Sequence, residues 1–247
     1  MFEYQAPPEL LRDKVILVTG ASSGIGRAIA LAYAEAGATL ILHGRDVAKL
    51  EAVYDEIENA GGNEPAITPL DLEKAGDEQY IELANSIHKE FGRLDGLVNN
   101  AGYMGALMPF QMQTLEQWHK TLMVNLSAPF ALTKYCLPLL QQAGEASVIF
   151  SSSTAGREAF AYSSAYTAAK HGLEAFVQSL FLELENTSNI RVNTVNPGPC
   201  ATPLRKAAFP AEDPATLAQP EDLVPVYLYL MGKDSLSENG KAFSAQE

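Results

Sequence analysis

Short apolar runs alternate with longer amphipathic stretches from one end of the chain to the other. The first run, Val15-Ile16-Leu17-Val18, is continuous, as in a strand covered on both faces. A small-residue helix is predicted over 25–36, with Gly37 as its stop. A strand over 39–43, a helix over 46–60 and the Gly61-Gly62 stop repeat the unit. A weaker strand over 66–70 leads through Asp71 to a helix ending near Phe91-Gly92. The pattern continues as a strand over 94–98, one long helix over 114–142, a strand over 147–150, a helix over 163–185 and a strand over 190–195. A last helix should open at Gln219-Pro220-Glu221, where proline's missing N–H does no harm. Residues 241–244 can add an edge strand.

This alternation predicts right-handed βαβ crossovers and an α/β fold. The expected architecture is a single Rossmann-like domain over 1–247, a doubly wound parallel sheet of about seven strands with helices on both faces. No internal repeat, low-complexity tract or linker interrupts it. The stretch 197–220 alone lacks clear periodicity over any length, and such connections are usually lids or binding loops.

Composition adds exclusions. The formal net charge is -13 and the acidic residues are spread along the chain, so nucleic acid and anionic lipid are disfavoured partners. A local basic pocket for a phosphate remains compatible with that balance. Cys136 and Cys200 lie outside any CxxC spacing, which predicts reduced thiols and no metal site. The first residues carry neither the basic region nor the apolar stretch of a secretion signal, and no apolar run approaches a membrane span. The expected location is cytoplasmic.

Chemistry enters at the turn after the first strand. Thr19-Gly20-Ala21-Ser22-Ser23-Gly24-Ile25-Gly26 joins it to the first helix, and glycines there let a pyrophosphate approach main-chain N–H groups. A tight structural turn needs glycine too; the position in an alternating α/β chain favours nucleotide binding. At the end of the second strand, a carboxylate would bond the adenosine ribose 2′-hydroxyl. Here Arg45 stands instead, able to pair with a 2′-phosphate, with Ser22 and Ser23 as further donors. This favours NADP(H) over NAD(H). The alternative is a solvated Arg45 beside an Asp46 that caps the next helix.

Tyr166 and Lys170 are four apart in a helical pattern and share one face. A free phenol, with a pKa of about 10, exchanges protons poorly near neutrality, and a nearby cation suits it to general acid/base work. Such a pair alone is more often a surface contact. Context favours chemistry: Ser151-Ser152-Ser153 and Asn99-Asn100-Ala101-Gly102 each end a strand at the edge where α/β sites form. The serines can also be read as turn or cap residues. Asn125 sits in a long helix, where a better helix former would be expected.

Taken in order, these motifs with Asp71 and Asn196-Pro197-Gly198 resemble the short-chain dehydrogenases/reductases over essentially the whole chain. A finer resemblance, to the bacterial YciK-type oxidoreductases, extends to Ala208-Phe209-Pro210-Ala211-Glu212-Asp213-Pro214. The resemblance implies a catalytic tetrad of Asn125, Ser153, Tyr166 and Lys170. Ser153 would polarise a carbonyl oxygen, Tyr166 pass the proton, Lys170 bind nicotinamide ribose and depress the tyrosine, and Asn125 hold a water. It further implies cofactor contacts at Gly20, Ser22, Ser23, Gly24, Ile25, Gly26, Arg45, Asp71, Leu72, Asn99, Ala101, Gly102, Pro197, Gly198 and Thr202, besides Tyr166 and Lys170.

The expected activity is hydride transfer between NADP(H) and the carbonyl or alcohol carbon of a small molecule. The competing class is a dinucleotide-binding sensor or scaffold, which would be expected to lose part of the tetrad. Tyr103, Met104, Leu107, Arg157, Phe160, Leu204 and Phe209 are candidate substrate contacts by loop position. Cys200 is read as a packing residue. By resemblance, a homodimer or homotetramer is expected through 114–142 and 163–185. The apolar stripe Leu173, Phe176, Val177, Leu180 and Phe181 serves either that contact or the chain's own sheet. The tail lacks the Gly-Gly often seen in the family, leaving tetramer contacts open.

Overall fold

In a computed structural model describing residues 1–246, the apolar run after Lys14 becomes strand β1 (Val15–Thr19), an interior strand of the sheet between β2 and β4. It is followed by α1 (Gly24–Glu35), β2 (Thr39–Gly44), α2 (Val47–Asn59), β3 (Ala66–Pro69) and α3 (Asp77–Phe91). The second half runs β4 (Gly96–Asn99), α4 (Leu115–Leu122), α5 (Ala128–Gln142), β5 (Ala146–Ser151), α6 (Ser164–Leu184) and β6 (Ile190–Asn196). It ends with α7 (Pro203–Ala208), α8 (Val224–Met231) and β7 (Ala242–Ser244). The 7 strands pair in parallel in the order β3-β2-β1-β4-β5-β6-β7, as the alternation predicts.

Strand periodicity divides the core. Ile16 and Val18 of β1 pack with α1, α2 and α8 on one face, while Leu17 packs with α3, α5 and α6 on the other. Because both faces are covered, each of these side chains is fully buried, a contribution of roughly 1.5–3 kcal/mol apiece. The chain reverses direction of winding between β1 and β4. That gap, at the carboxyl ends of the strands, is where such a sheet opens a ligand crevice.

The long helix expected over 114–142 is interrupted. A π-helical turn, Met123–Ser127, separates α4 from α5. Two residues explain it. Pro129 has no N–H to donate to the Asn125 carbonyl, and the Asn125 side-chain amide donates to the Thr121 carbonyl at 2.8 Å. The final helix opens as a short 3-10 turn, Pro220–Leu223, before α8. Within 197–220, α7 and a bridge between Cys200 and Ala218 give the aperiodic stretch its own structure.

Leu173 and Val177 of the α6 stripe are buried against their own sheet, with Phe176 and Leu180 packed beside them. Phe181 lies against Gly240, so the stripe packs on the chain's own fold. No helix among the described residues is long and apolar enough to cross a membrane.

Candidate active site

The glycine turn is shaped by backbone demands. Gly20 and Gly24 adopt positive φ of 69° and 54°, a region that favours glycine. A Cβ on Gly26 would overlap the Gly20 carbonyl and stand 2.6 Å from the Asn100 amide nitrogen. Gly26 therefore lies beneath the turn as a packing residue rather than facing a cavity. Ser23 caps α1 without a side-chain hydrogen bond, and the first turn has no acidic residue. The partial positive end of α1 is left open toward the crevice.

Thr19 locks this turn to the end of β4. Its hydroxyl oxygen accepts from the Asn100 and Ala101 N–H groups, both at 2.9 Å, and the Asn100 side-chain amide donates to the Thr19 carbonyl at 3.2 Å. Asn100 also accepts from the Ser151 hydroxyl at 3.2 Å, drawing in β5. Asn99 behaves otherwise: its amide donates to Thr133 of α5 at 3.2 Å, and the side chain is buried away from the crevice. A cofactor contact at Asn99 would therefore fall to its backbone, since the side chain is engaged on the other face. Successive strand residues point to opposite faces, and Asn100 takes the crevice side.

The turn borders a cavity of about 720 Å³. Gly20, Ser23, Gly24 and Ile25 form one wall, with Ala101 and Gly102 beside them. Ser153, Tyr166 and Lys170 form another, and Pro197, Gly198 and Thr202 a third. Of the expected substrate contacts, Met104, Leu107, Phe160, Leu204 and Phe209 line this space. A smaller cavity of about 190 Å³ adjoins it and shares Gly20, Ser23, Ala101 and Gly102. Ser22, Arg45, Asp71, Leu72 and Lys120 line the smaller one, as does Tyr103, expected on the substrate side. Arg45 is exposed, and Asp46 caps α2 by accepting from the Lys49 N–H at 3.3 Å.

Tyr166 and Lys170 lie on the buried face of α6, 8% and 4% exposed. The Lys170 ammonium donates to the Ser151 carbonyl at 2.7 Å and stands 5.7 Å from the centre of the Tyr166 ring. Burial pushes the Tyr166 phenol up, opposed by the neighbouring Ser153 hydroxyl and by the charge of Arg205. The resemblance implies a depressed phenol; here desolvation wins. Burial also pulls Lys170 down to about 8, against the opposing charge of Glu174. Ser153 accepts the Ala155 N–H at 3.2 Å, which fixes its side chain at the cavity edge. Ser151 instead pairs with the Tyr227 hydroxyl at 2.9 Å.

Asn125 is completely buried, and its carboxamide grips the backbone of Tyr103. It donates to the Tyr103 carbonyl at 2.6 Å and accepts from the Tyr103 N–H at 3.2 Å. With the Thr121 bond, both side-chain donor protons are engaged, so none remains for a water. Tyr103 in turn places its ring 4.8 Å from the Lys120 ammonium, which pairs with Glu73 at 2.6 Å.

Arg157, expected in the substrate pocket, is not there. It donates to the Phe243 carbonyl at 2.7 Å and to Ser244 at 2.8 Å, tying the turn after β5 to β7. The arginine on the cavity is Arg205, which sequence reasoning missed. It grips Glu212 through two hydrogen bonds of 2.7 and 2.8 Å and covers the Phe209 ring at 3.8 Å. Its signal was a cation just inside a capped helix: the Thr202 hydroxyl accepts the Arg205 N–H at 3.1 Å. Burial pushes Cys200 up to about 11, so it stays a thiol, in keeping with a packing role. The Gln246 amide donates to the Pro197 and Pro199 carbonyls at 2.7 and 2.8 Å, bracing the turn at Gly198.

A family model described as short chain dehydrogenase matches residues 14–213. The oxidoreductase YciK of Escherichia coli is 43% identical over 243 residues, 98% of this chain and 96% of that protein. A short chain dehydrogenase of Pseudomonas syringae superposes with a TM-score of 0.97 at 47% identity, covering 100% of both chains. One from Shigella flexneri, complexed with NADP, gives 0.95 at 42% identity, covering 98% of this chain and 100% of that one. Likeness of this extent, in sequence and in fold together, makes the chain a member of the short chain dehydrogenase family.

Proposed function

We propose that the chain is an NADP(H)-dependent oxidoreductase that interconverts a carbonyl and an alcohol, with Tyr166 as general acid/base. One observation carries the reading: the phenol of Tyr166, the hydroxyl of Ser153 and the ammonium of Lys170 border the same cavity as the glycine turn. The turn suits a dinucleotide, since Gly20 and Gly24 border the cavity and the α1 N-terminus carries no competing cap. The Shigella relative's NADP supports the cofactor class. Arg45, Ser22 and Ser23 stand together on the adjoining cavity, where a 2′-phosphate would be held.

When bound, the nicotinamide supplies the hydride donor or acceptor. The chain's part is alignment and proton handling. Pro197, Gly198 and Thr202 would flank the ring and Lys170 would hold the ribose, since all four line the cavity. Ser153 orients the carbonyl oxygen by a hydrogen bond, and Tyr166 delivers its proton to that oxygen during reduction. Met104, Leu107, Phe160 and Leu204 favour a small molecule whose body is apolar. A homodimer or homotetramer through α5 and α6 fits the exposed Phe130 and Leu182 on those helices.

Tyr166→Phe tests the reading. It removes one hydroxyl, so NADPH affinity by fluorescence titration should hold while carbonyl turnover falls by about 10²–10⁴-fold. Full turnover with normal NADPH binding would remove Tyr166 from the mechanism and reopen the sensor reading.

A further inference from the structure

Glu174 stands one turn beyond Lys170 on α6, outside both cavities. Helical side chains lean toward the N-terminus, which carries its carboxylate back along the face that holds Lys170. One oxygen, Oε2, accepts from the Thr194 hydroxyl of β6 at 2.8 Å. The other, Oε1, is buried and has no hydrogen-bond partner among the described residues. Its neighbouring cation is Arg157, whose Nε lies 3.8 Å away and whose other nitrogens are engaged by β7.

Gly156 keeps this arrangement tight. A Cβ there would stand 3.1 Å from the Lys170 carbonyl, 3.2 Å from the Glu174 Cγ and 2.7 Å from the Ser152 hydroxyl. The backbone that follows Ser153 therefore lies directly on α6 between the lysine and the glutamate. A buried carboxylate with one oxygen unsatisfied is costly, and an amide or apolar residue would remove that cost. The charge is explained if it acts on its neighbour. Around Lys170 stand the Tyr166 ring and the Ser151 carbonyl, with Glu174 one turn along the same helix. Around Glu174 stand Arg157, neutral Thr194 and the packed turn at Gly156, with Lys170 one turn before it on α6.

We propose that Glu174 is a positioning residue that keeps Lys170 protonated while the protein works, acting through the ammonium without touching substrate. The inference rests on the oxidoreductase reading for its purpose, but the coupling between the two side chains is measurable without turnover. Burial alone draws the lysine toward neutrality, and Glu174 opposes it. In Glu174→Gln the lysine loses that support, which favours release of its proton.

The test follows the Lys170 side-chain carbon in lysine-labelled protein by NMR, assigned with Lys170→Arg, beside the pH profile of NADPH-dependent carbonyl reduction. Glu174→Gln should lower the Lys170 titration midpoint by about one pH unit, and the alkaline limb of kcat/KM should follow it. Glu174→Asp, which withdraws the charge by one methylene, should lower both by less. An unmoved midpoint in folded Glu174→Gln overturns the inference; if that variant does not fold, an unmoved midpoint in Glu174→Asp does the same. A displaced midpoint in a protein without carbonyl turnover supports the coupling and sinks the oxidoreductase reading alone.

Discussion

The Lys170 ammonium donates to the Ser151 carbonyl at 2.7 Å, joining the middle of α6 to the last residue of β5. Ser153 follows two residues later and Tyr166 precedes Lys170 by one turn, so this bond sets the distance between the hydroxyl and the phenol. A displacement of about 1 Å at such a site can cost 10²-fold in rate. The bond is also buried, which exposes the lysine to an opposing effect.

Lys170 should destabilise the fold below its own titration. It is pulled from 10.5 down to about 8, so between those values the unfolded chain holds a proton that the folded chain has released. Stability from this group therefore rises with pH across that window, and below about 8 the full cost is present. Lys170→Met should be more stable than the wild type by about 2 kcal/mol at pH 7 while losing turnover. Melting curves at pH 7 and 9.5 check it; the variant's advantage should shrink at the higher pH.

Arg45→Ala should weaken NADPH binding by about 10–100-fold and leave NADH nearly unchanged. Arg45 is exposed on the cavity that holds Ser22 and Asp71, where a 2′-phosphate would lie. Fluorescence titration with both nucleotides measures the difference. An equal loss for both would place the arginine's effect elsewhere in the groove.

Gly26→Ala should lower both stability and nucleotide affinity. The new methyl would meet the Gly20 carbonyl and the Asn100 amide, and neither can retreat without moving the turn that they close. A cost of about 1–3 kcal/mol is expected from overpacking. Calorimetry and NADPH titration read the two effects, and an unchanged melting temperature would contradict this packing.

Asn125→Leu should destabilise the chain by about 2–4 kcal/mol, because the Tyr103 N–H and two buried carbonyls lose their partner. Nucleotide affinity should fall as well, since Tyr103 and Lys120 line the smaller cavity. Denaturant melts and NADPH binding measure each. A variant as stable as the wild type would show that the π-helical turn holds Tyr103 without the carboxamide.

What the sequence by itself determined was local. Continuous apolar strands, the glycines of 20–26 and the Tyr166–Lys170 spacing each depend on neighbours within a few residues, and backbone geometry converts them directly into sheet, turn and shared helix face. The tertiary structure decided which of several equivalent side chains faces the crevice. Asn100 faces it while Asn99 turns to Thr133, and Ser153 reaches it while Ser151 meets Tyr227. Arg205 lines it while Arg157 binds residues 86 and 87 positions away. Such choices are made by contacts between distant segments, and spacing along the chain carries no record of them.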